Sequence, residues 1–323
     1  MTAYNRTAFL KHSLGSILTQ NLKEIKIEII IISNFDFQVD VNRENVRITK
    51  IIMQGTIGEY LHRGIEESSG DLIAFLDDDD LWENDKLKRV VEVFSDEKIV
   101  FYHNMYSYID SQGKPIEYVR KVERNNKNYF SSELIFNPIF NMDKLKLGIK
   151  MKADFNLSCI AIRKSLVLNY IDVLKMITSC QDEFFFWIAI ISRGYLFIDN
   201  KCLTEYRVHN LNVSGTKNLD HKVTELQKEI MTFDLLINMI MPNSYENNYT
   251  KEIKKWLELY KYEYQIMMLV FSDGGKLTIL NNIILLIRTG IKKWNILKGR
   301  VILFGIIGLI SYRVTKSIYI KIK

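Results

Sequence analysis

The apolar residues of the first hundred positions follow two periods, which together predict alternating helices and strands. Spacings of three and four predict helices, and β-branched apolar runs predict buried strands. The predicted order is helix, strand, strand, helix, strand, helix, strand, over residues 7–20, 25–32, 46–52, 58–69, 71–77, 83–94 and 99–103. This alternation is typical of an α/β fold with a mostly parallel sheet flanked by helices.

The remainder of the chain predicts a mixed part followed by a helical part. Residues 104–155 are irregular and polar, and further strands and helices alternate up to about residue 215. From about Leu219 onward the pattern is helical to the end. We therefore predict two domains, an α/β domain over residues 1–215 and a helical C-terminal region over residues 216–323.

An apolar run leads directly into four consecutive carboxylates. Residues 72–76 fit a strand buried on both faces, and residues 77–80 are all aspartate. Adjacent negative charges repel one another, so we expect a cation to neutralise them, and a hard divalent ion with oxygen ligands is the natural candidate. In parallel sheets, ligands bind at the carboxyl ends of strands, where these aspartates lie. The alternative is that Asp80 caps the next helix and the other three are solvated.

Charge is distributed unevenly along the chain. The formal net charge is +6, yet residues 274–323 contain ten Lys or Arg and no Asp or Glu. Within this basic tail the apolar run 301–312 is flanked by Arg300 and Arg313 and is shorter than the ~20 residues that span a bilayer. Such helices suit an anionic membrane surface. The alternative is a helical subdomain that packs on the α/β domain.

Composition narrows the class of protein. Three scattered cysteines are too few for a disulfide framework or a zinc site, and no signal peptide is visible, so we expect a cytoplasmic protein. The basic residues of the tail alternate with aliphatic residues rather than with aromatic ones, which argues against nucleic-acid binding.

The acid-rich segment resembles the Asp-x-Asp segment of family 2 glycosyltransferases with the GT-A fold. The acid-rich segment matches at residues 70–82 and 85–87, residues 3–10 and 16–20 resemble the opening loop and first helix of that family, and residues 28–33 resemble its second strand. The likeness as a whole covers roughly residues 3–215. It implies a nucleotide-binding α/β sheet and a nucleotide-sugar donor. By this resemblance Asp77 contacts the nucleoside, and Asp79 binds Mn²⁺ or Mg²⁺ with Asp80 beside it. Such a metal would neutralise the diphosphate leaving group.

The resemblance also implies further contacts with the nucleotide sugar. They involve six residues, with different weight: Tyr4 and Arg6 in the opening loop, Arg207 and His209 in the segment 206–215, and, more weakly, Asp36 and Arg63. His209 is a candidate to complete the metal shell, and Asn212 and Ser214 shape the loop after it. For Arg63, a solvated helix face is an equally good interpretation.

A second acidic pair provides the candidate general base. In the family a Glu-Asp pair begins a helix at this position, whereas here Asp182 precedes Glu183. Glu183 falls on the position of the family's base, and Asp182 has its residue type, so the base is either of the two. A base is needed because the acceptor hydroxyl loses a proton as it attacks the anomeric carbon. The alternative is that both acids complement the helix dipole.

One departure from the family concerns its first strand. That strand normally precedes the opening loop, whereas the sequence here begins at Met1, so we expect two unpaired strand edges inside the sheet. Three explanations are open: a start upstream, another segment in the gap, or an impaired protein.

The leading hypothesis is a metal-dependent, inverting glycosyltransferase that acts on a glycan or lipid-linked acceptor at the inner face of the cell membrane. A nucleotidyltransferase would need a glycine-rich phosphate loop near the N-terminus, and none is visible. The alternative from another class is an inactive nucleotide- or sugar-binding membrane scaffold.

Overall fold

The computed structural model describes residues 1–21, 25–39, 44–117, 132–209, 218–240, 248–272, 274–290, 296–311 and 314. The chain divides into two compact units. The first contains Met1–Ile177 and Gln181–His209, and the second contains Thr178–Cys180 and Asn210–Lys323.

The first unit is built from nine strands and seven helices within the described residues. The strands are β1 (Thr2–Ala3), β2 (Ile27–Ser33), β3 (Val46–Ile52), β4 (Leu72–Ala74), β5 (Leu81–Trp82), β6 (Ile99–Ile109), β7 (Leu134–Phe136), β8 (Ile160–Arg163) and β9 (Tyr195–Arg207). The helices are α1 (Thr7–Leu18), α2 (Ile57–Glu67), α3 (Lys86–Phe94), α4 (Met142–Lys150), α5 (Lys164–Leu168), α6 (Ile171–Met176) and α7 (Gln181–Ile191).

Two sheets form the centre of this unit. The first has the order β1-β2-β3 with parallel pairs throughout, and the second has the order β4-β8-β6-β9-β5, with β7 also paired to β9. In the second sheet β6 and β9 are parallel, whereas the other pairs are antiparallel. A parallel bridge between Thr2 and Asp77 links the two sheets beside the acidic residues. The predicted α/β class is confirmed.

A gap separates β2 from β4 on the core side of Thr2. Within the described residues β1 covers only Ile32 and Ser33 of β2, and nothing pairs with β4 on the side away from β8. A cavity of about 850 Å³ lies there, lined by apolar side chains of both strands. The expected unpaired strand edges are therefore found here, on β2 and on β4. The gap also explains why residues 72–74 are half-buried, where burial on both faces was expected.

Residues 104–155 are more regular than predicted. Strand β6 continues to Ile109, and β7 and α4 lie later in this range, while residues 118–131 fall outside the described residues. The expectation of irregular structure was wrong for β6, because a polar side chain can be buried in a strand where it has hydrogen-bond partners. Asn104 Nδ2, for example, donates to the Met105 carbonyl and, at 3.0 Å, to Thr204 Oγ1.

Helix α7 positions the second acidic pair by anchoring in the core. Every residue from Phe184 to Ile190 is buried, so the helix contacts the core on all sides beyond its first turn. The ring of Phe185 stacks on Phe75 with centroids 4.5 Å apart, one residue beyond β4. The half-buried start of α7, which carries the acids, is thereby fixed next to the strand that leads into the aspartates.

Within its described residues the second unit contains four helices: α8 (Leu219–Ile240), α9 (Asn248–Phe271), α10 (Lys276–Gly290) and α11 (Ile296–Ile310). Helix α9 packs against each of the other three, for example through the Phe233 and Tyr260 rings at 5.4 Å. Among the described residues, none of the helices is both long enough and apolar enough to cross a membrane.

Candidate active site

The acid segment (residues 77–80) lies between β4 and β5 and is held on one side by the N-terminal residues. Thr2 Oγ1 donates a hydrogen bond to Asp77 Oδ1 at 3.1 Å. Ser13 Oγ, in the middle of α1, donates to the carbonyl oxygen of Asp78 at 2.9 Å. The opening loop and first helix, which were predicted to belong to the site, therefore contact the acid segment directly.

Arg6 brings a positive charge to this segment. Its guanidinium pairs with the carboxylates of Asp78 and Asp79, whose side chains are 0% and 8% exposed. The backbone N–H of Tyr4 also donates to Asp78 Oδ2, at 3.3 Å. The chain thus supplies one cation for the acid segment from within its own sequence.

His209 also contacts Asp79. Its Nε2 lies 3.0 Å from Asp79 Oδ2, and both side chains are nearly buried. The imidazole is held by Phe9 of α1, with ring centroids 4.8 Å apart. The structure brings these two predicted metal-site residues together, and their role as metal ligands stays a prediction.

Arg207 and Asp80 contact each other, whereas the resemblance to the family placed Arg207 at the nucleotide sugar and Asp80 beside the metal. The backbone N–H of Arg207 donates to Asp80 Oδ1 at 3.0 Å, and its Nε donates to the carbonyl oxygen of Asp79 at 2.6 Å. Asp80 is therefore not a helix cap, because its carboxylate is used here and α3 begins only at Lys86. Its role as a metal ligand stays a prediction beside this structural one.

Burial changes the acidity of the segment. It raises the pKa of Asp77 to about 6 and that of Asp78 to about 7, although Arg6 opposes both shifts. Burial also raises the pKa of Asp80 well above its usual value, and the charges of Asp79 and Asp77 add to the effect. The segment therefore gains from any cation that approaches its carboxylates.

The chemistry of these side chains fits a divalent metal ion. Carboxylate oxygens are the ligands that Mg²⁺ and Mn²⁺ favour in proteins. In the part of the chain that the structure describes, however, no group of three or more His, Cys, Asp or Glu residues converges as a metal site.

The second acidic pair lies at the start of α7 and contacts the loop before β8. Asp182 Oδ2 accepts the backbone N–H of Asn156 at 2.9 Å, and Oδ1 accepts that of Glu183 at 3.0 Å. Burial raises the pKa of Asp182 to about 7. Both oxygens of Asp182 thus accept backbone N–H groups, and the choice of base between Asp182 and Glu183 stays a prediction.

A serine that the sequence analysis missed links this loop to the acid segment. Ser158 is fully buried, and its Oγ accepts the backbone N–H of Asp77 at 3.1 Å. The same hydroxyl also forms a hydrogen bond with the Asp80 carboxylate. Its carbonyl oxygen accepts Trp82 Nε1 at 2.9 Å. No motif marks this serine in the sequence, and the structure places it in a short 3₁₀ helix (Leu157–Cys159) directly before β8.

Two of the weaker candidates lie elsewhere. Lys50 Nζ contacts Asp36 at 2.6 Å, and Arg63 contacts Glu67 at 2.8 Å one helical turn away. Neither contacts the acid segment among the residues with described positions. Arg63 lies on a solvated helix face, as one interpretation allowed, and the contacts of both residues with a nucleotide stay predictions. Asn212 and Ser214 lie outside the described residues.

Comparison with known proteins gives consistent results. The profile of the family described as glycosyl transferase family 2 matches residues 1–166, which is more than half of the chain. TuaG of Bacillus subtilis, a glycosyltransferase named for teichuronic acid biosynthesis, is 21% identical over 222 residues, which are 67% of this chain and 80% of TuaG. Further glycosyltransferases match over 120 to 226 residues, and the chain covers between 17% and 64% of their length.

Solved structures share the fold at low sequence identity. TarS of S. aureus (residues 1–349, in complex with UDP-GlcNAc) matches with a TM-score of 0.63 and 12% identity, over 98% of this chain and 89% of that one. The mannosyltransferase PcManGT from Pyrobaculum calidifontis, in complex with GDP-Man and Mn²⁺, matches with a TM-score of 0.52 and 11% identity, over 99% of this chain and 84% of that one. The chain belongs to glycosyl transferase family 2 and is a glycosyltransferase with the GT-A fold.

Proposed function

We propose that this glycosyltransferase uses Mn²⁺ or Mg²⁺ to transfer a sugar from a nucleotide-sugar donor to an acceptor hydroxyl, with inversion at the anomeric carbon. The observation that carries the proposal is the contact of Asp79 with both Arg6 and His209 directly after β4. A carboxylate, a guanidinium and an imidazole at one place offer ligands for a metal ion and donors for a diphosphate.

Asp79 and His209 would hold the metal ion, which stabilises the negative charge of the departing diphosphate when it is bound. Arg6 gives up its contact with Asp79 in that state and directs its N–H groups to phosphate oxygens. This exchange is chemically sound because guanidinium binds carboxylate and phosphate with the same paired geometry. Asp77, next to Thr2, contacts the nucleoside.

Glu183 is the proposed general base, and Asp182 is the residue that positions it. Both Asp182 oxygens accept backbone N–H groups, one of them from Glu183 itself. Glu183 takes the proton of the acceptor hydroxyl as that oxygen bonds to the anomeric carbon and the bond to the diphosphate breaks. Attack on the face opposite the leaving group inverts the configuration.

The structural neighbours support the class of donor. TarS carries UDP-GlcNAc, and PcManGT carries GDP-Man together with Mn²⁺. At 12% and 11% identity they support a nucleoside diphosphate sugar as the donor without selecting the base or the sugar. The relative named for teichuronic acid biosynthesis supports an acceptor that is a growing glycan, free or lipid-linked. We propose that the enzyme works as a peripheral protein at the cytoplasmic face of the cell membrane.

Calorimetric titration of UDP and of GDP, each with and without Mn²⁺, tests the donor site. The wild-type chain is expected to bind one of the two nucleotides in a metal-dependent way. Asp79→Asn is expected to lose about tenfold or more of that affinity, because a neutral amide replaces the charged ligand. Release of nucleotide from the corresponding sugar donor in the presence of acceptor then measures transfer.

The matched control is Asp143→Asn, which makes the same change at a carboxylate that is 89% exposed and pairs with Lys146. Its nucleotide affinity is expected to equal that of the wild type. Nucleotide binding that needs no metal and is unchanged in Asp79→Asn would contradict the proposal. Metal-dependent binding without any transfer would favour the scaffold instead of the enzyme.

A further inference from the structure

Helix α10 of the second unit is apolar on two opposite sides. One side packs inside the unit, with Ile279, Ile283 and Leu286 at 2%, 5% and 1% exposure. The other side is solvent-exposed and carries Leu277, Leu280, Ile284 and Leu285 at 71%, 42%, 37% and 40%. A surface helix of a water-soluble bundle normally has mainly polar residues on its second side, whereas here these aliphatic residues are interspersed with the exposed Thr278, Asn281 and Arg288.

Helix α11 repeats this arrangement. Its glycines face α9 so closely that a Cβ on Gly305 would lie 2.9 Å from Ile266, and one on Gly308 would lie 2.7 Å from Val270. Away from that contact the helix exposes a second row of aliphatic residues. They are Leu303, Ile306 and Ile310 at 58%, 43% and 76% exposure. The spacing of three and four places them along one line of the helix.

The charge of this part of the chain indicates which kind of partner covers the exposed aliphatic residues of α10 and α11. Exposed Lys276 and Arg288 lie at the two ends of α10, and residues 274–323 contain ten basic residues and no acidic one. A second copy of the chain would bring an equally basic surface against this one, and the like charges would repel. An anionic lipid surface complements both the charge and the aliphatic side chains.

We propose that the exposed aliphatic residues of α10 and α11, which we call the aliphatic face, dock on an anionic phospholipid membrane. The helices lie flat in the interface with these side chains at the acyl boundary. Lys276 and Arg288 remain among the headgroups, because long basic side chains extend towards the polar layer. The docking rests on the peripheral membrane location given in the proposed function. Because the contact needs no nucleotide, metal or acceptor, its failure can be distinguished from a failure of the transfer reaction.

Sedimentation with vesicles of phosphatidylcholine, with and without phosphatidylglycerol, measures the docking of the full chain. Wild-type protein is expected to bind the vesicles that contain phosphatidylglycerol and to be released as the salt concentration rises. Leu303→Glu is expected to lower the partition coefficient by about tenfold or more, since the change removes an aliphatic group that would enter the acyl layer and adds a negative charge.

The matched control is Met231→Glu in α8, which places the same charge at a residue that is 59% exposed, in the same unit but outside the aliphatic face. It is expected to bind vesicles like the wild type. Equal loss in both variants, or no binding of the wild-type chain, would overturn the proposal. A dimer in the absence of lipid that Leu303→Glu dissociates would assign the aliphatic face to a second copy instead. Circular dichroism of both variants checks that the helices are retained.

Discussion

Arg207 donates its backbone N–H to the Asp80 carboxylate at 3.0 Å, so the end of β9 is attached to the segment that follows β4. The guanidinium adds to this attachment through the carbonyl oxygens of Asp79, at 2.6 Å, and Asp110, at 3.1 Å. An arginine that was expected to reach a diphosphate therefore holds the backbone of the acid segment in place. Arg6 brings a second guanidinium to the carboxylates of Asp78 and Asp79, and the contact of Arg207 with a diphosphate stays a prediction.

Ser158→Ala tests how far the acid segment depends on its buried supports. The change removes the hydroxyl that accepts a hydrogen bond from the Asp77 N–H and forms another with the Asp80 carboxylate. We expect the free energy of unfolding to fall by about 1–3 kcal/mol, because buried polar groups lose their partner. We also expect metal-dependent nucleotide binding to weaken, since the carboxylates lose their fixed orientation. Urea unfolding and calorimetry measure the two effects.

Ser95→Ala is the control, since this exposed serine donates only to the carbonyl oxygen of Glu92 at the end of α3. Its unfolding free energy is expected to change by less than about 0.5 kcal/mol. A Ser158→Ala protein that is destabilised but binds nucleotide with full affinity would show that this serine supports the fold and not the site.

Arg6→Gln is expected to have opposite effects on metal and nucleotide binding. Without the guanidinium, Asp78 and Asp79 lose the charge that pairs with them, so Mn²⁺ alone is expected to bind about tenfold more tightly. Nucleotide affinity in the presence of Mn²⁺ is expected to decrease, because a donor for the phosphates is missing. Titration of MnCl₂ and then of nucleotide separates the two.

Arg63→Gln provides the comparison for that experiment. Arg63 pairs with Glu67 on an exposed helix face, so the same substitution is expected to change neither affinity. If Arg63→Gln weakens nucleotide binding as much as Arg6→Gln does, the earlier prediction that Arg63 reaches the diphosphate is right. If Mn²⁺ binds more weakly to Arg6→Gln than to the wild type, the guanidinium does not compete with the metal.

The sequence was sufficient for those parts of the molecule that depend on local patterns. The alternation of helices and strands, the acid segment after β4 and the start of α7 near Gln181 follow from apolar periodicity and from residue type. The contact of His209 with Asp79 spans 130 positions, yet it was anticipated through the resemblance to the family. Parallel strands that end together explain why such distant residues meet.

Contacts that depend on tertiary structure were not accessible in the same way. Asn156 has φ of +68°, a left-handed conformation that no pattern in the sequence marks, and this turn directs its N–H to Asp182. The continuation of β6 beyond His103 was missed because buried polar residues there find partners on β9. In both cases a long-range hydrogen bond overrides the local signal.

Stability should depend on pH through Asp182. Burial raises its pKa to about 7, whereas an unfolded aspartate has a pKa of about 3.9. The folded state therefore holds the proton more tightly, and the free energy of unfolding falls as pH rises from about 4 to about 7. The ionisation of Asp182 contributes on the order of a few kcal/mol to this decrease in the free energy of unfolding, and Asp182→Asn removes that contribution. Urea unfolding across this range without divalent ions measures the slope.

Asp143→Asn serves as the reference for the slope. Lys146 lowers the pKa of this exposed carboxyl, so it does not contribute to a loss of stability between pH 4 and 7. The reference variant is expected to follow the wild-type curve. An Asp182→Asn curve as steep as that of the wild type would assign the decline to the acid segment, where the pKa values of Asp77 and Asp78 are raised as well.

Two helical glycines allow a matched test of packing in the first unit. A Cβ on Gly58 in α2 would lie 2.3 Å from the carbonyl oxygen of Leu174 and 2.5 Å from that of Ile177, whereas nothing lies within 4 Å of one on Gly15 in α1. Alanine favours a helix over glycine by about 1 kcal/mol at either position. Gly15→Ala is therefore expected to raise the free energy of unfolding by about 0.5–1 kcal/mol.

Gly58→Ala is expected to lower the free energy of unfolding by about 2–4 kcal/mol, because backbone oxygens cannot move aside as a flexible side chain would. The contact also matters for position, since the Gly58 N–H donates to the Ile177 carbonyl oxygen at 3.2 Å and so fixes α2 against the end of α6. Thermal and urea unfolding of both variants give the comparison. Equal stabilisation by the two alanines would mean that α2 can shift away from α6 at little cost.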